Sequence, residues 1–300
     1  MKFIAFTTKD KENTRLGVYK NSESIVIDLN TIGLSRFFHD MNDLIKNIKP
    51  KDIDVLKEVI SLVEEKEYET YHVEEITLGA PIDRTIHDVI CVGLNYAEHI
   101  DETKKGFDEN MEIPLHTVYF SKRANQVKGP GEEIESHSHL NESMDYEVEL
   151  AVIIGKEGIN ISKEEAKEYI FGYTILNDLS ARGLQKNHVQ WFRGKSLDGF
   201  TSMGPCIVHG SSVGFPLELD IKSRVNDELR QNSNTKFMMK DVSTIISEIS
   251  QGMTLLPGDV IATGTPSGVG MGFTPPRFLK AGDTVECEIQ HMGLLKNKIK

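Results

Sequence analysis

Apolar and polar residues alternate through residues 144–155 (MDYEVELAVIIG), a stretch rich in β-branched side chains. Period-two alternation predicts a strand, with Asp145, Glu147 and Glu149 on one face and Tyr146, Val148 and Leu150 on the other. From Ile86 onward, short apolar runs are separated by turn signals such as Gly129-Pro130-Gly131, Pro257-Gly258-Asp259 and Ala281-Gly282-Asp283, the pattern of a mostly β body. Helices are expected as insertions: 162–169, opened by a Ser-x-x-Glu box at Ser162 and Glu165, and 241–250, leading to Gly252. Strands do not alternate regularly with long helices, which disfavours doubly wound and barrel α/β folds.

The first 80 residues read differently. Strand signals at 2–7, 15–19 and 24–28 precede polar helical segments, and Leu56, Val59, Ile60 and Val63 recur at helical spacing among Lys and Glu, describing one buried stripe. Gly79 and Pro81 break both periodicities. The expected organisation is a small α+β N-terminal domain over residues 1–80 and a mostly β, α+β body over 81–300.

Charge narrows the partners. The 300 residues hold 34 basic and 46 acidic side chains, net −12, with no Lys/Arg-rich run, so neither nucleic acid nor an anionic membrane surface is expected. Cys91, Cys206 and Cys287 are widely spaced and odd in number, which indicates neither a disulfide framework nor a thiolate zinc site. No stretch approaches 18 consecutive apolar residues. A cytoplasmic protein is expected.

Several residues carry candidate chemistry. The acidic face of 144–155 is either the wet side of an exposed edge strand or a set of carboxylates gathered around a hard divalent cation. Residues 171–178 read as a strand ending in Asp178, which is either a cap or a ligand. The turn that follows places Arg182 and Gln185 three apart, on one helix face. Lys195 follows in Arg-Gly-Lys-Ser, and His99 and Glu102 are three apart in CVGLNYAEHIDE; each is equally readable as a solvated surface group. The Gly-rich segment 263–272 follows an apolar strand, but Phe-Thr-Pro-Pro cannot open the helix that a phosphate loop requires. Its glycines admit a ligand close to backbone, with the Thr263 and Thr265 hydroxyls at hand.

Taken together these stretches resemble the fumarylacetoacetate hydrolase family over residues 86–300. The matching motifs are GLNYAEH (93–99), GPGE (129–132), DYEVELAVIIGK (145–156), GYTILNDLSARGLQ (172–185), RGKSLDGFTSMGP (193–205) and the run from Pro257 to Gly270. The N-terminal residues look like the variable extra domain of longer members. The resemblance implies a β-roll catalytic domain, a homodimer, and Mg²⁺ or Mn²⁺ acting on a small-molecule oxo acid. Carried over position by position, it puts the metal on Glu147, Glu149 and Asp178 and the general-base pair on His99 and Glu102. Arg182, Gln185 and Lys195 fall on positions that meet substrate oxygens and developing negative charge, and Asn95, Tyr96, Lys122 and Thr265 on substrate-binding positions. Two departures bear on the substrate's charged end: Leu94 stands where many members carry a basic residue, and Arg123 where a proline is common.

The activity implied is hydrolysis of a C–C bond in an acylpyruvate or related β-diketo acid. The alternatives are an isomerase or decarboxylase of an oxo-alkene di- or tricarboxylate, an oxaloacetate decarboxylase, and a catalytically silent metal-binding homologue. Residues 96–115 are strongly charged with few apolar anchors, and are expected to form a lid carrying His99 and Glu102.

Overall fold

A computed structural model describes residues 1–9, 11–20, 23–61, 68–107 and 115–300. The N-terminal part contributes β1 (Lys2–Thr8), β2 (Lys11–Tyr19), β3 (Ile25–Asp28), α1 (Met41–Asn47), α2 (Pro50–Ser61), β4 (Thr70–His72) and β5 (Ile76–Leu78). The body begins with β6 (Val89–Gly93), α3 (Ala97–Phe107), β7 (Val118–Lys122), β8 (Glu133–Ile134), β9 (Met144–Asp145), β10 (Val148–Ile154) and β11 (Ile170–Asp178). It continues through β12 (Ser180–Ala181), α4 (Arg182–Asn187), α5 (Phe192–Lys195), β13 (Thr201–His209), β14 (Asp220–Val225) and β15 (Glu228–Asn234). It closes with α6 (Val242–Ile249), β16 (Val260–Ala262), β17 (Thr284–Ile289) and β18 (Gly293–Ile299).

Among the described residues, one large sheet runs β4-β3-β2-β1-β13-β11-β10-β16-β6-β7, with β5 also on β1, and a second runs β15-β14-β17-β18-β8. All of β10 is buried. The near-continuous apolar run Leu150–Ile154 explains this, because a strand covered on both faces has no polar side. Val148, Leu150, Val152 and Ile154 pack in the core shared with Ile221, Val285 and Leu295 of the five-stranded sheet. Ala151 and Ile153 face the opposite core, closed by Met41, Leu44 and Leu56 of α1 and α2. Burial stabilises each such aliphatic side chain by roughly 2 kcal/mol. The large sheet is thus the middle of three layers, and the exposed-edge reading of 144–155 is corrected: β10 lies between β11 and β16.

The N-terminal strands are not a separate sheet. β1 pairs antiparallel with β13, Phe3 opposite Ile207, so residues 1–80 extend the body's own sheet. The stripe on α2 buries Leu56 and Val59; Val63 lies outside the described residues. Over 162–169 the structure forms only a short 3₁₀ turn, Ala166–Tyr169, although the Glu165 N–H donates to the Ser162 hydroxyl at 3.3 Å as the box requires. The helix over 241–250 forms as α6, capped by Asp241. Within the expected lid, 97–107 is α3, with His99, Ile100 and Thr103 buried; residues 108–114 lie outside the described part. Among the described residues no helix is long and apolar enough to cross a membrane.

Candidate active site

The site forms where β10 and β11 begin and end beside each other. Between β9 and β10 the chain leaves the ladder, and side chains take over the backbone bonding. The Glu147 N–H donates to Asn177 Oδ1 at 3.0 Å, and the Val148 N–H to Gln231 Oε1 at 3.1 Å. The Asp178 N–H donates to the Glu147 carbonyl at 2.9 Å. These contacts bring Glu147 and Glu149 next to Asp178. One carboxylate oxygen from each lies within 4.8 Å of the others, and all three residues are buried.

Cations surround two of the three. Lys195 Nζ is 2.6 Å from Glu147 Oε2 and 2.7 Å from Asp178 Oδ2. Arg182 Nη1 is 2.6 Å from Glu147 Oε1, while its Nε donates to Asp145 Oδ2 at 2.9 Å. Lys122 Nζ is 2.7 Å from Asp178 Oδ1. Glu149 pairs with no cationic side chain among the described residues and accepts instead from the Gly264 N–H at 2.8 Å. Four buried carboxylates (Asp145, Glu147, Glu149, Asp178) therefore face three cations (Lys122, Arg182, Lys195), and the excess acid falls on Glu149.

Acidity follows that distribution. Burial alone would push the Glu147 carboxyl up, but Lys195 and Arg182 outweigh it and hold it far below the usual carboxylate range, with His99 adding to the effect. Burial, then the charges of Asp178 and Glu147, push Glu149 well above its ordinary value. Burial lowers Lys122 despite Asp178. Burial also opposes the charge on Lys195, yet Asp178 and Glu147 keep it raised. A cluster of oxygen donors with one uncompensated negative charge fits a hard divalent cation such as Mg²⁺ or Mn²⁺.

The Gly-rich loop 263–272 closes the site through its amides. Gly264 serves Glu149, Gly268 donates to Glu102 Oε1 at 2.9 Å, and Gly270 and Met271 donate to Asp145 at 2.6 and 3.0 Å. It cradles the protein's own carboxylates. A Cβ on Gly272 would stand 1.8 Å from Glu102 Oε1, so only glycine leaves room for that side chain. On α3, His99 Nδ1 is 2.9 Å from Glu102 Oε2, and His99 Nε2 is 3.5 Å from Thr103 Oγ1.

The structure thus gathers Glu147, Glu149, Asp178, Arg182 and Lys195 into one cluster, with Gln185 accepting from Arg182 at 3.1 Å and His99 and Glu102 beside it. Tyr96 is buried against the charge of Glu149, and its hydroxyl has no hydrogen-bond partner among the described residues. Three of the residues expected to bind substrate have polar atoms that bond to the protein itself. Lys122 is fully buried and donates to the Leu179 and Lys195 carbonyls. The Asn95 amide ties Lys240 to Thr263. The Thr265 hydroxyl donates to the Val148 carbonyl and accepts from Gln231. Sequence reasoning missed Asp145 as the partner of Arg182, and also Asn177 and Gln231. Asp145 carried a signal, as a member of the acidic stripe; Gln231, in the polar strand ELRQNSN, carried none.

A β-rich body that buries a carboxylate cluster beside a His–Glu pair is an enzyme scaffold of the acid–base kind. The sequence matches the family described as fumarylacetoacetate (FAA) hydrolase C-terminal over residues 88–300, and the chain belongs to the fumarylacetoacetate hydrolase family. It is 47% identical over 229 residues to an oxaloacetate tautomerase of Bacillus subtilis (strain 168), covering 76% of this chain and 75% of that protein. Its fold is similar to that of a fumarylacetoacetate hydrolase from psychrophilic Exiguobacterium antarcticum, with a TM-score of 0.82 and 38% identity over 100% of this chain and 99% of that one. It is also similar to a maleylpyruvate hydrolase from Sphingobium sp. SYK-6 solved with manganese(II) and pyruvate, with a TM-score of 0.75 and 28% identity over 100% and 98%.

Proposed function

We propose that the protein is a divalent-metal-dependent tautomerase that interconverts the keto and enol forms of an oxaloacetate-type 2-oxo acid. The observation that carries this reading is the placement of buried His99, paired with half-buried Glu102, beside a carboxylate cluster one cation short of neutrality among the described residues. Such a site can bind an anionic oxo acid and move one proton. The 47% identity to an oxaloacetate tautomerase supports the same reading.

Glu147, Glu149 and Asp178 would hold Mg²⁺ or Mn²⁺, which supplies Lewis-acid polarisation of a carbonyl. The remaining work belongs to side chains. With Nδ1–H donated to Glu102, His99 Nε2, which has only the long 3.5 Å contact to Thr103 Oγ1, carries the lone pair and acts as the base. It takes a proton from C3 of the oxo acid, the C–H electrons form the C=C bond, and the carbonyl oxygen gains the negative charge. Return of a proton to that oxygen gives the enol, and the reverse sequence gives the keto acid. Lys195 and Arg182, both within ion-pair distance of Glu147, present fixed positive charge as the oxygen becomes negative.

A second reading is hydrolysis of an acylpyruvate C–C bond, favoured by the names of the two similar solved structures. It needs the same groups and an attacking water. The two separate in one experiment: the enol absorbance of oxaloacetate and the release of pyruvate from acetylpyruvate are followed with Mn²⁺, with Mg²⁺ and with EDTA. The tautomerase reading predicts accelerated enol–keto conversion that EDTA and His99→Ala both abolish. Cleavage of acetylpyruvate alongside enol–keto conversion at the spontaneous rate would establish the hydrolase instead.

A further inference from the structure

We infer that Tyr146 is a positioning residue for the His99–Glu102 pair: its hydroxyl pins Gly268, and the Gly268 amide in turn fixes Glu102. The inference rests on the proposed proton transfer by His99 and names the residue that sets the geometry of that base. Tyr146 is fully buried and stands in sequence between Asp145 and Glu147. Its hydroxyl donates to the Gly268 carbonyl at 2.9 Å. The Gly268 N–H donates to Glu102 Oε1 at 2.9 Å, and Glu102 Oε2 lies 2.9 Å from His99 Nδ1. The phenol therefore reaches the imidazole through one glycine and one carboxylate, and that carboxylate decides which ring nitrogen of His99 keeps its lone pair.

The rest of the loop is anchored independently, which leaves Gly268 as the point that Tyr146 controls. Asp145 accepts from the Gly270 and Met271 amides at 2.6 and 3.0 Å, so two adjacent residues of the acidic stretch grip both ends of 268–271. Further on, the Arg277 N–H donates to the Gly270 carbonyl at 2.8 Å. The Phe273 ring centre lies 5.1 Å from the Arg230 guanidinium and 5.2 Å from that of Arg277, both within cation–π reach. Arg277 is itself held by Glu228 through two bonds of 2.7 Å. No group other than the Tyr146 hydroxyl donates to the Gly268 carbonyl among the described residues. Gly268 is half-buried, so without the phenol its carbonyl turns to water and takes the residue with it. Through Tyr146 the stretch that carries Glu147 and Glu149 thus also sets the register of the base.

The test is Tyr146→Phe, which deletes one oxygen and keeps the ring that fills the core. Keto–enol conversion of oxaloacetate and amide hydrogen exchange are both followed on the full chain loaded with Mn²⁺. We expect kcat to fall about tenfold while KM and Mn²⁺ affinity stay within about twofold. Exchange should accelerate about tenfold within 264–272 and stay unchanged in β10 and β11, which separates lost position from lost fold. Added to Glu102→Ala, the substitution should lower kcat by less than about twofold further, because its target is gone. An unchanged kcat, exchange that is unaltered in 264–272 or faster throughout the chain, or a tenfold drop that persists without Glu102 would each overturn the inference. Native tautomerisation with a silent Tyr146→Phe removes the positioning role alone. Native protein that leaves oxaloacetate at its spontaneous rate, while Tyr146→Phe still frees 264–272, removes the tautomerase reading alone.

Discussion

The Gly264 N–H donates to Glu149 Oε2 at 2.8 Å, and this backbone amide stands where Glu147 and Asp178 have lysine and arginine partners. The loop reaches Glu149 because Gly264 adopts φ +95°, and a Cβ there would meet Asn95 Cβ at 2.8 Å. A partial positive charge thus substitutes for a full one, and the carboxylate remains the natural place for an added cation.

Gly272→Ala tests whether the His99–Glu102 pair needs its exact packing. The new methyl would overlap Glu102 Oε1 and displace it from His99. A misplacement on the order of 1 Å lowers rate by up to about a hundredfold, so kcat should fall by about 10- to 100-fold while Mn²⁺ affinity stays within about twofold. Unchanged kcat would remove the pair from the mechanism.

Gln231→Leu tests the support behind the acidic strand. Gln231 is fully buried and bonds the Val148 N–H, Ser223, Thr265 and the Pro266 carbonyl. Leucine leaves those groups unsatisfied, which costs about 2–4 kcal/mol. Denaturant unfolding should show that loss, and the apparent Mn²⁺ affinity should fall with it because Val148 separates Glu147 from Glu149.

His209 gives the fold a pH dependence away from the site. Burial lowers its pKa from 6.5 to about 4, and its ring packs against Phe3 and Phe171. Above pH 6.5 neither the folded nor the unfolded state protonates it. As pH falls from 6.5 towards 4 the unfolded state gains a proton that the folded state refuses, so stability drops across that window. A change of about 2.5 pH units at about 1.4 kcal/mol each bounds the effect at about 3.5 kcal/mol. Thermal unfolding of His209→Gln should lose less stability than native protein between pH 6.5 and 4; parallel curves would refute the assignment.

Much of the site was legible because its chemistry sits in ordered, dense motifs. Glu147 and Glu149 project to one face as period two requires, Asp178 ends its strand, and Arg182 and Gln185 share a helix face. What the sequence concealed was depth. An acidic alternation resembles a wet edge strand until its neighbours are known, and the pairing of β10 with β11 and β16 is a long-range fact. Gln231 lies 83 residues from the Val148 N–H that it caps, and no local pattern marks it. The Gly-rich loop showed its conformational freedom but not its use, since amides that hold the chain's own carboxylates leave the same composition as amides that hold a ligand. The pairing of β1 with β13 was equally hidden by the Gly79 and Pro81 break.

The central claim is that Glu147, Glu149 and Asp178 together hold one divalent ion. Calorimetric titration of the metal-free protein with Mn²⁺, compared with Glu149→Ala, tests it most directly. The account predicts one ion per chain in native protein and a loss of affinity on the order of 100-fold in the variant, which gives up the carboxylate that no side-chain cation among the described residues neutralises. Equal stoichiometry and affinity in both proteins would place the ion elsewhere and contradict the account.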